Sequence, residues 1–515
     1  MKKRNLKVMT LLMAGTMLAG SLTGCGSSPS EESSSAPGSE ESSQPSEQSS
    51  EEQSSEEQSP EEQSSEEQPA VSGDVVNIKW AMVGNGMPDN YDAWKANLDA
   101  YLEEKIGVHL DVEVVKWDDW NNRRSVMVNT NEDYDILFTD SGTYANDVRM
   151  GAFADISGIL QSTCPELYSF IPEDYWDAVS INGGIYAVPT YKDSSATQYF
   201  VWDKELIDKY EIDYENMHDL QSLTDALTKI KDGEGSEPFI LASDGLGAIL
   251  DKYDGMGVGV PGIGVSYNDS SKKVVSVYEQ EDVMADLKTL HEWYTAGIIN
   301  ADANTLGEAP KYRMCYVAQG WPLAAKTVWG PNMDKEVVVS QWGDTHLSFS
   351  TVGGSLNCIS ASSKNQEKAL QLLELVNTDS VVRDALYFGL EGENFEYNAD
   401  GRVHKINTDW PMAGYTQGTF FNVTLTDDVE ENQWDEVKAL NEAAVASPVL
   451  GISIDTSEFE DELANCTEIC NRYKKDLLTG VADPEVEVPK MMEELRASGF
   501  DTMIEKIQAQ IDAAQ

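Results

Sequence analysis

The chain has 515 residues, of which 41% are hydrophobic, so it is long enough for at least one large core and about two to four domains. Its formal charge is −54, with 90 acidic and 36 basic residues. A surface this acidic repels nucleic acid and anionic lipid, which excludes nucleic acid as a partner and leaves a small-molecule ligand open.

The N-terminus has the three parts of an export signal. Basic residues open the chain, an apolar run follows at Val8–Gly20, and the sequence LTGC ends at Cys25. This ending resembles a lipobox, which implies a lipoprotein signal peptide at residues 1–24 and a lipid (diacylglycerol and palmitate) on Cys25. An ordinary secretory signal with an incidental cysteine is the alternative. We expect a protein anchored by lipid to the extracellular face of the cell membrane.

Residues 26–73 are rich in Ser, Glu, Gln and Pro, and a five-residue repeat of the type QSSEE runs from Gln48 to Glu67. Almost no apolar side chain is present to offset the entropy lost on ordering. We therefore predict that residues 25–73 form the lipid anchor and a disordered tether. Repulsion between the glutamates should keep this tether extended.

Strands and helices alternate after the tether. Hydrophobic periodicity predicts three strands, at Val75–Val83, His109–Trp117 and Tyr134–Thr139, with a helix up to Gly107 and another at Asp118–Asn129. This order predicts a mainly parallel sheet with helices on both faces. Ligands collect at the carboxyl ends of the strands in such sheets.

The loops after these strands supply the first candidate ligand-binding residues. Each residue also has an ordinary structural role open to it: Asp118 could cap a helix, and Asp140 could open a turn. The candidates are Asn85, Trp117, Asp118, Asp140, Ser141 and Tyr144.

The stretch Asn182–Tyr210 is typical of a crossover between two lobes. A short strand halts at Pro189, a second strand-like run covers Gln198–Trp202, and Asp203 can cap the next helix. The motifs GGIYAVP and YFVWDKELIDKY resemble the crossover of family 1 extracellular solute-binding proteins, the maltose-binding-protein-like receptors of ABC importers. The resemblance implies an α/β fold of the two-lobed periplasmic-binding-protein type with a hinge.

The resemblance also implies domain boundaries. Lobe 1 would comprise residues 74–198 plus 347–389, and lobe 2 would comprise residues 199–346 plus 390–515. The end of the chain, from Ser447 onward, resembles a subgroup with a C-terminal domain of unknown function.

Further site residues follow from the crossover and the resemblance. The crossover itself contributes Tyr191, Lys192 and Asp193. In the family, the second lobe presents aromatic side chains to the cleft, which nominates Phe239, Trp321 and Trp329. Trp321 lies in a Gly-Trp-Pro turn after a predicted strand, and its alternative role is to pack under a loop.

The function that the resemblance implies is capture of a small solute, with an oligosaccharide preferred, and delivery to the ABC permease subunits in the membrane. The protein would be a monomer, would not be an enzyme and would need no cofactor. Two other functions stay open. A secreted glycosidase would need two carboxyl groups about 5–10 Å apart, and the many acidic residues single out no pair. A non-transport carbohydrate-binding lipoprotein would share the tether and the aromatic residues without a hinge.

Two motifs that could indicate a cofactor or a metal lack the required context. A GxGxxG pattern occurs at Gly257–Gly262, but Pro261 interrupts it and a strand-like run follows it. A dinucleotide-binding motif instead follows a strand and opens a helix. Cys466 and Cys470 are four residues apart on a predicted helix, with no nearby His or second cysteine pair. We expect them to be buried thiols and expect no metal site.

Overall fold

The computed structural model describes residues 75–514. The expected signal peptide, the expected lipidation site at Cys25 and the expected tether lie outside the described residues. Within residues 75–514, no helix combines the length and the apolar character needed to cross a membrane.

The described residues form a mixed α/β structure. Its strands are β1 (Val76–Gly84), β2 (Val108–Lys116), β3 (Ile136–Thr139), β4 (Ser180–Ile181), β5 (Gly184–Ile185), β6 (Val188–Pro189), β7 (Ala196–Asp203), β8 (Tyr253–Asp254), β9 (Ile263–Ser266), β10 (Val274–Ser276), β11 (Cys315–Gln319), β12 (Val337–Leu347), β13 (Leu356–Ile359), β14 (Phe395–Tyr397), β15 (Val403–Lys405) and β16 (Val445–Ala446).

The helices surround these strands. They are α1 (Tyr91–Ile106), α2 (Trp117–Thr130), α3 (Tyr144–Arg149), α4 (Ser157–Thr163), α5 (Pro165–Phe170), α6 (Glu173–Ala178), α7 (Lys204–Tyr210), α8 (Leu220–Glu234), α9 (Glu281–Thr295), α10 (Gly330–Met333), α11 (Phe349–Val352), α12 (Gln366–Thr378), α13 (Ser380–Phe388), α14 (Gln433–Ala443), α15 (Glu460–Leu478), α16 (Pro484–Ala497) and α17 (Phe500–Ala513).

The first sheet has the order β2-β1-β3-β13-β6. Strand β1 pairs in parallel with β2 and β3, as the alternation of strands and helices predicted. Strand β13, from the return segment, lies antiparallel between β3 and β6. Strands β1, β2, β3 and β6 therefore end at the same side of the sheet, which we call the carboxyl edge.

The second sheet has the order β11-β7-β12-β16 and is built around the predicted crossover strand β7. Both β11 and β12 run antiparallel to β7. Asp203 ends β7 and caps α7, because its carboxylate accepts a hydrogen bond from the backbone N–H of Glu205. Strand β11 ends beside the start of β7, so its carboxyl end points back toward the first sheet.

Three chain segments meet side by side where β7 begins. His346 of β12 pairs with Ala196 of β7 on one side and with Val445 of β16 on the other. The side-chain hydroxyls of Thr197 and Thr345 also hydrogen bond, at 2.8 Å. Strands β7, β12 and β16 are thus held side by side at this point.

The two sheets pack mainly against different hydrophobic cores. The first core contains Trp80, Ile136 and Leu370, among other residues, and the second contains Phe200, Leu287 and Met503. Helices α15 to α17, which include the two buried cysteines Cys466 and Cys470 on α15, pack on the second core.

Parts of residues 390–446, a segment that the prediction assigned to lobe 2, pack on the first core. The side chains of Leu390 and Met412 belong to the first core, and Ala444 packs against it. Met412 also forms an antiparallel bridge with Gly84 at the end of β1. Leu390 and Met412 join the first core because their apolar side chains are buried there, whereas Phe395 and Val403 form a separate small cluster. The prediction assigned the whole segment to lobe 2 from chain order alone.

Candidate functional site

Several predicted site residues lie at the carboxyl edge of the first sheet, which their position after strands had predicted. Asn85 is exposed and its backbone N–H donates to the carbonyl of Pro411, at 2.9 Å. Trp117 begins α2 and keeps 43% of its surface exposed. Asp118 is exposed in the first turn of α2, where a carboxylate interacts favourably with the helix dipole.

Asp140 and Ser141 lie in a turn, which is the structural alternative that the sequence left open for Asp140. The Asp140 carboxylate accepts from the backbone N–H of Gly142, at 2.9 Å, which is the hydrogen bond of an Asx turn. The backbone N–H of Ser141 donates to the carbonyl of Gly353, at 2.7 Å. Both side chains stay partly exposed, so the turn leaves them at the edge of the sheet.

Four predicted site residues are core residues instead. Tyr144, Tyr191, Phe239 and Trp329 are between 0% and 6% exposed. The Tyr144 hydroxyl donates to the carbonyl of Val179, at 2.6 Å, and burial raises the pKa of Tyr191 to about 12. The Phe239 ring packs edge-on against Trp293, with ring centroids 5.2 Å apart. Large aromatic side chains contribute most to stability when buried, and these four are placed accordingly.

A loop that sequence reasoning did not select crosses the carboxyl edge. It comprises residues 411–424, and we call it the aromatic loop. Its Tyr415 ring stacks on Trp117 with ring centroids 6.1 Å apart and planes inclined by 8°, and Tyr415 is 38% exposed. The two rings thus form an exposed aromatic surface at the end of β2.

The same loop connects to the second sheet through further aromatic rings. Phe420, which is buried, stacks on Trp434 of α14 with centroids 4.4 Å apart. Trp434 in turn contacts Trp321, at 5.9 Å, and both tryptophans are partly exposed. Trp321 follows β11 directly, so this row of rings joins the first sheet to the second. The cluster GYTQGTFF in the loop was the sequence signal that could have identified Phe420.

The turn that carries Trp321 is shaped by its glycine. A Cβ atom at Gly320 would lie 2.7 Å from Cζ2 of Trp329, so only glycine allows the buried Trp329 indole to pack there. The backbone N–H of Leu323 donates to the carboxylate of Glu436 on α14, at 2.7 Å. The turn and α14 are therefore held together, which sets the Trp321 and Trp434 rings side by side.

Polar side chains border the row of aromatic rings. Lys192 and Asp193 form an ion pair at 2.6 Å, and the Lys192 ammonium lies 6.0 Å from the centre of the Phe420 ring. Asn441 of α14 donates to the carbonyl of Lys192, at 2.5 Å, and accepts from the hydroxyl of Ser195, at 2.8 Å. Helix α14 is thus tied to the crossover segment as well as to the Trp321 turn.

This arrangement suits a ligand with both apolar faces and hydroxyl groups. Flat aromatic rings cover apolar faces, while carboxylate, ammonium and amide groups hydrogen bond to hydroxyls. The partly exposed members are Asn85, Trp117, Asp118, Asp140, Ser141, Lys192, Asp193, Trp321, Tyr415 and Trp434.

Two stretches of the chain match known families. Residues 96–388, more than half of the chain, match the bacterial extracellular solute-binding proteins. Residues 448–515 match a domain of unknown function, DUF3502. The chain therefore belongs to the bacterial extracellular solute-binding proteins, and both the expected family and its C-terminal subgroup are confirmed.

Individual relatives agree with this family. A carbohydrate ABC transporter substrate-binding protein of Streptococcus pneumoniae is 27% identical over 462 residues, which cover 86% of this chain and 92% of that protein. The crystal structure of an N-glycan transport solute binding protein (NgtS) from Streptococcus pneumoniae is 26% identical, covers 85% of this chain and 98% of its own, and has a TM-score of 0.75. An HMO binding ABC-transporter associated solute binding protein from Bifidobacterium longum infantis, 16% identical, shares the fold with a TM-score of 0.60, covering 85% of this chain and 99% of its own. The two-lobed fold is thereby confirmed.

Proposed function

We propose that this protein binds an oligosaccharide in the cleft between its lobes and delivers it to the permease of an ABC importer. Membership of the solute-binding family supports the transport role. One relative, the 26% identical N-glycan transport solute binding protein of Streptococcus pneumoniae, has been crystallised with Man1GlcNAc and with Man5GlcNAc, which favours a saccharide of several units.

The observation that carries the proposal is the row of rings formed by Phe420, Trp434 and Trp321. Trp321 follows a strand of the second sheet, and the Trp434 ring stacks on buried Phe420 of the loop over the first sheet. A ligand resting on the two partly exposed tryptophans would therefore lie between parts of both lobes. Lys192 and Asp193 supply charged hydrogen-bonding groups beside it. A ligand held in this way favours a closed arrangement of the lobes.

The proposed location is the extracellular face of the membrane, with the lipid on Cys25 as the anchor and the protein as a monomer. The family is extracellular, and the basic, apolar and small-residue segments before Cys25 support export as a lipoprotein. One lipid anchor and an extended tether would keep the receptor near the permease.

A thermal-shift assay tests the proposal. The probes are Man1GlcNAc, Man5GlcNAc, other oligosaccharides, free mannose and a short peptide. We expect oligosaccharides to raise the melting temperature, since a ligand at 100 times its Kd adds about 2.7 kcal/mol to the free energy of unfolding. Stabilisation by the peptide alone would contradict a saccharide ligand, and recovery of cleaved glycan would indicate an enzyme.

A further inference from the structure

Arg383 on α13 is fully buried and uses its charge to hold the aromatic loop. Its Nε donates to the carbonyl of Thr419, at 2.7 Å, and its Nη2 donates to the carbonyls of Gly414, at 2.7 Å, and Gly418, at 3.2 Å. Three backbone carbonyls of one loop thus converge on one guanidinium group.

The neighbouring buried carboxylate of Asp384 also hydrogen bonds to the same loop. Asp384 accepts from the backbone N–H of Thr424, at 2.9 Å, and from the hydroxyl of Tyr397, at 2.8 Å. A buried charge is costly unless hydrogen bonds compensate it, and burial lowers the pKa of Arg383 to about 10. Two consecutive buried charges therefore hold the aromatic loop at 414–419 and at 424.

Other buried groups also hydrogen bond to the backbone of the aromatic loop. Asn377 of α12 accepts from the backbone N–H of Thr419, at 3.0 Å, and Asn357 of β13 donates to the carbonyl of Thr416, at 3.0 Å. Glycines let the backbone approach closely, because a Cβ at Gly418 would lie 2.6 Å from a methyl carbon of Val376. These contacts hold the loop backbone against the first lobe.

The contacts that hold the aromatic loop also determine where the aromatic rings of the site lie. Tyr415, which stacks on Trp117, and Phe420, which supports Trp434, are on the stretch that Arg383 holds. The Arg383 guanidinium also lies 5.1 Å from the centre of the Tyr387 ring, and Tyr387 packs edge-on against Phe420. A rigid support of this kind keeps binding groups in the geometry that the ligand requires.

We propose that Arg383 is a positioning residue of the ligand site, which fixes the aromatic loop so that Tyr415 and Phe420 hold the exposed rings of Trp117 and Trp434 in place. Arg383 itself does not touch the ligand. The expected effect of Arg383 on ligand binding rests on the proposed function, whereas its expected effect on the loop does not depend on any ligand.

Hydrogen exchange in the ligand-free protein tests the effect on the loop. In Arg383→Met, we expect amides of residues 411–424 to exchange at least about tenfold faster, since hydrogen bonds to a charged group are among the strongest in a protein. Amides of α12 should exchange as in the wild type. Arg124→Met is the matched control, because Arg124 is also largely buried in the first lobe but pairs with Asp147. Unchanged exchange in the loop of Arg383→Met would overturn the proposal.

Affinity for Man5GlcNAc, or for whichever oligosaccharide stabilises the wild type, tests the effect on the site. We expect Arg383→Met to bind at least about tenfold more weakly and Arg383→Lys to recover only part of the loss, because one ammonium cannot reach three carbonyls. Arg124→Met should bind normally. If no oligosaccharide binds the wild type, the proposed function fails while the exchange result still decides the role of Arg383.

A second variant covers the case in which the Arg383 variants do not fold. Gly418→Ala leaves the guanidinium in place and pushes the loop away from Val376. We expect faster exchange in residues 411–424 and weaker binding in this variant too. Wild-type exchange and affinity in Gly418→Ala would then overturn the proposal.

Discussion

The imidazole ring of His346 lies flat on the phenol ring of Tyr267, with ring centroids 4.0 Å apart and planes inclined by 7°. His346 is also the residue of β12 that pairs with both Ala196 and Val445. The stacked pair therefore lies where the chain passes between the two sheets.

The first prediction concerns pH. Burial lowers the pKa of His346 below its usual value of 6.5, and the nearby Asp344 only partly opposes this. The unfolded chain then binds the proton more readily, so the contribution of His346 to stability is complete above about pH 6.5 and is lost as the pH falls below that value. We expect the free energy of unfolding, from denaturant titrations at pH 8 to 5, to fall less steeply in His346→Gln than in the wild type. A free energy of unfolding that falls equally steeply with pH in both proteins would contradict the prediction.

The second prediction separates Trp321 from Trp329. Trp321→Ala should weaken oligosaccharide binding about 5- to 150-fold, which corresponds to about 1–3 kcal/mol, and should lower the melting temperature little. Trp329 is only 6% exposed, so Trp329→Ala should cost about 3–5 kcal/mol of stability. Calorimetric titration and thermal unfolding of both variants provide the measurement. A Trp321→Ala protein that melts far lower and still binds normally would make Trp321 a core residue.

The third prediction concerns the exposed pair Trp117 and Tyr415. Trp117→Ala and Tyr415→Ala should each weaken binding, and the double variant should lose less than the sum of the two losses, because each ring needs the other as support. The free energy of unfolding should change by no more than about 1.5 kcal/mol in either single variant. Strictly additive losses of affinity would show that the rings act separately.

The fourth prediction concerns the anchor. Cys25→Ser removes the sulfur that the lipid requires, so the protein should move from the membrane fraction to the medium. Ser27→Ala, two residues further on, should stay with the membrane and serves as the control. Immunoblots of fractionated cells give the answer, and a Cys25→Ser protein that remains in the membrane fraction would argue against lipid anchoring at this residue.

Local patterns in the sequence determined much of the fold. The helix that was predicted to stop at Gly107 ends at Ile106, with Gly107 in the left-handed region at φ 66°. Asp203 caps α7, as predicted, and the crossover strand lies in the middle of the second sheet. These features depend on side-chain periodicity, capping and glycine geometry within a few residues, which is why the sequence alone contains them.

Which aromatic rings remain available to a ligand was decided only by the tertiary structure. Trp321 and Trp329 are close in sequence, yet one is partly exposed and the other is in a core. Phe239 follows the pattern of a site residue but packs on Trp293, and Tyr415 reaches Trp117 only because the aromatic loop crosses the carboxyl edge. Burial of a ring depends on which distant segments pack over it, and the sequence near the ring does not encode that packing.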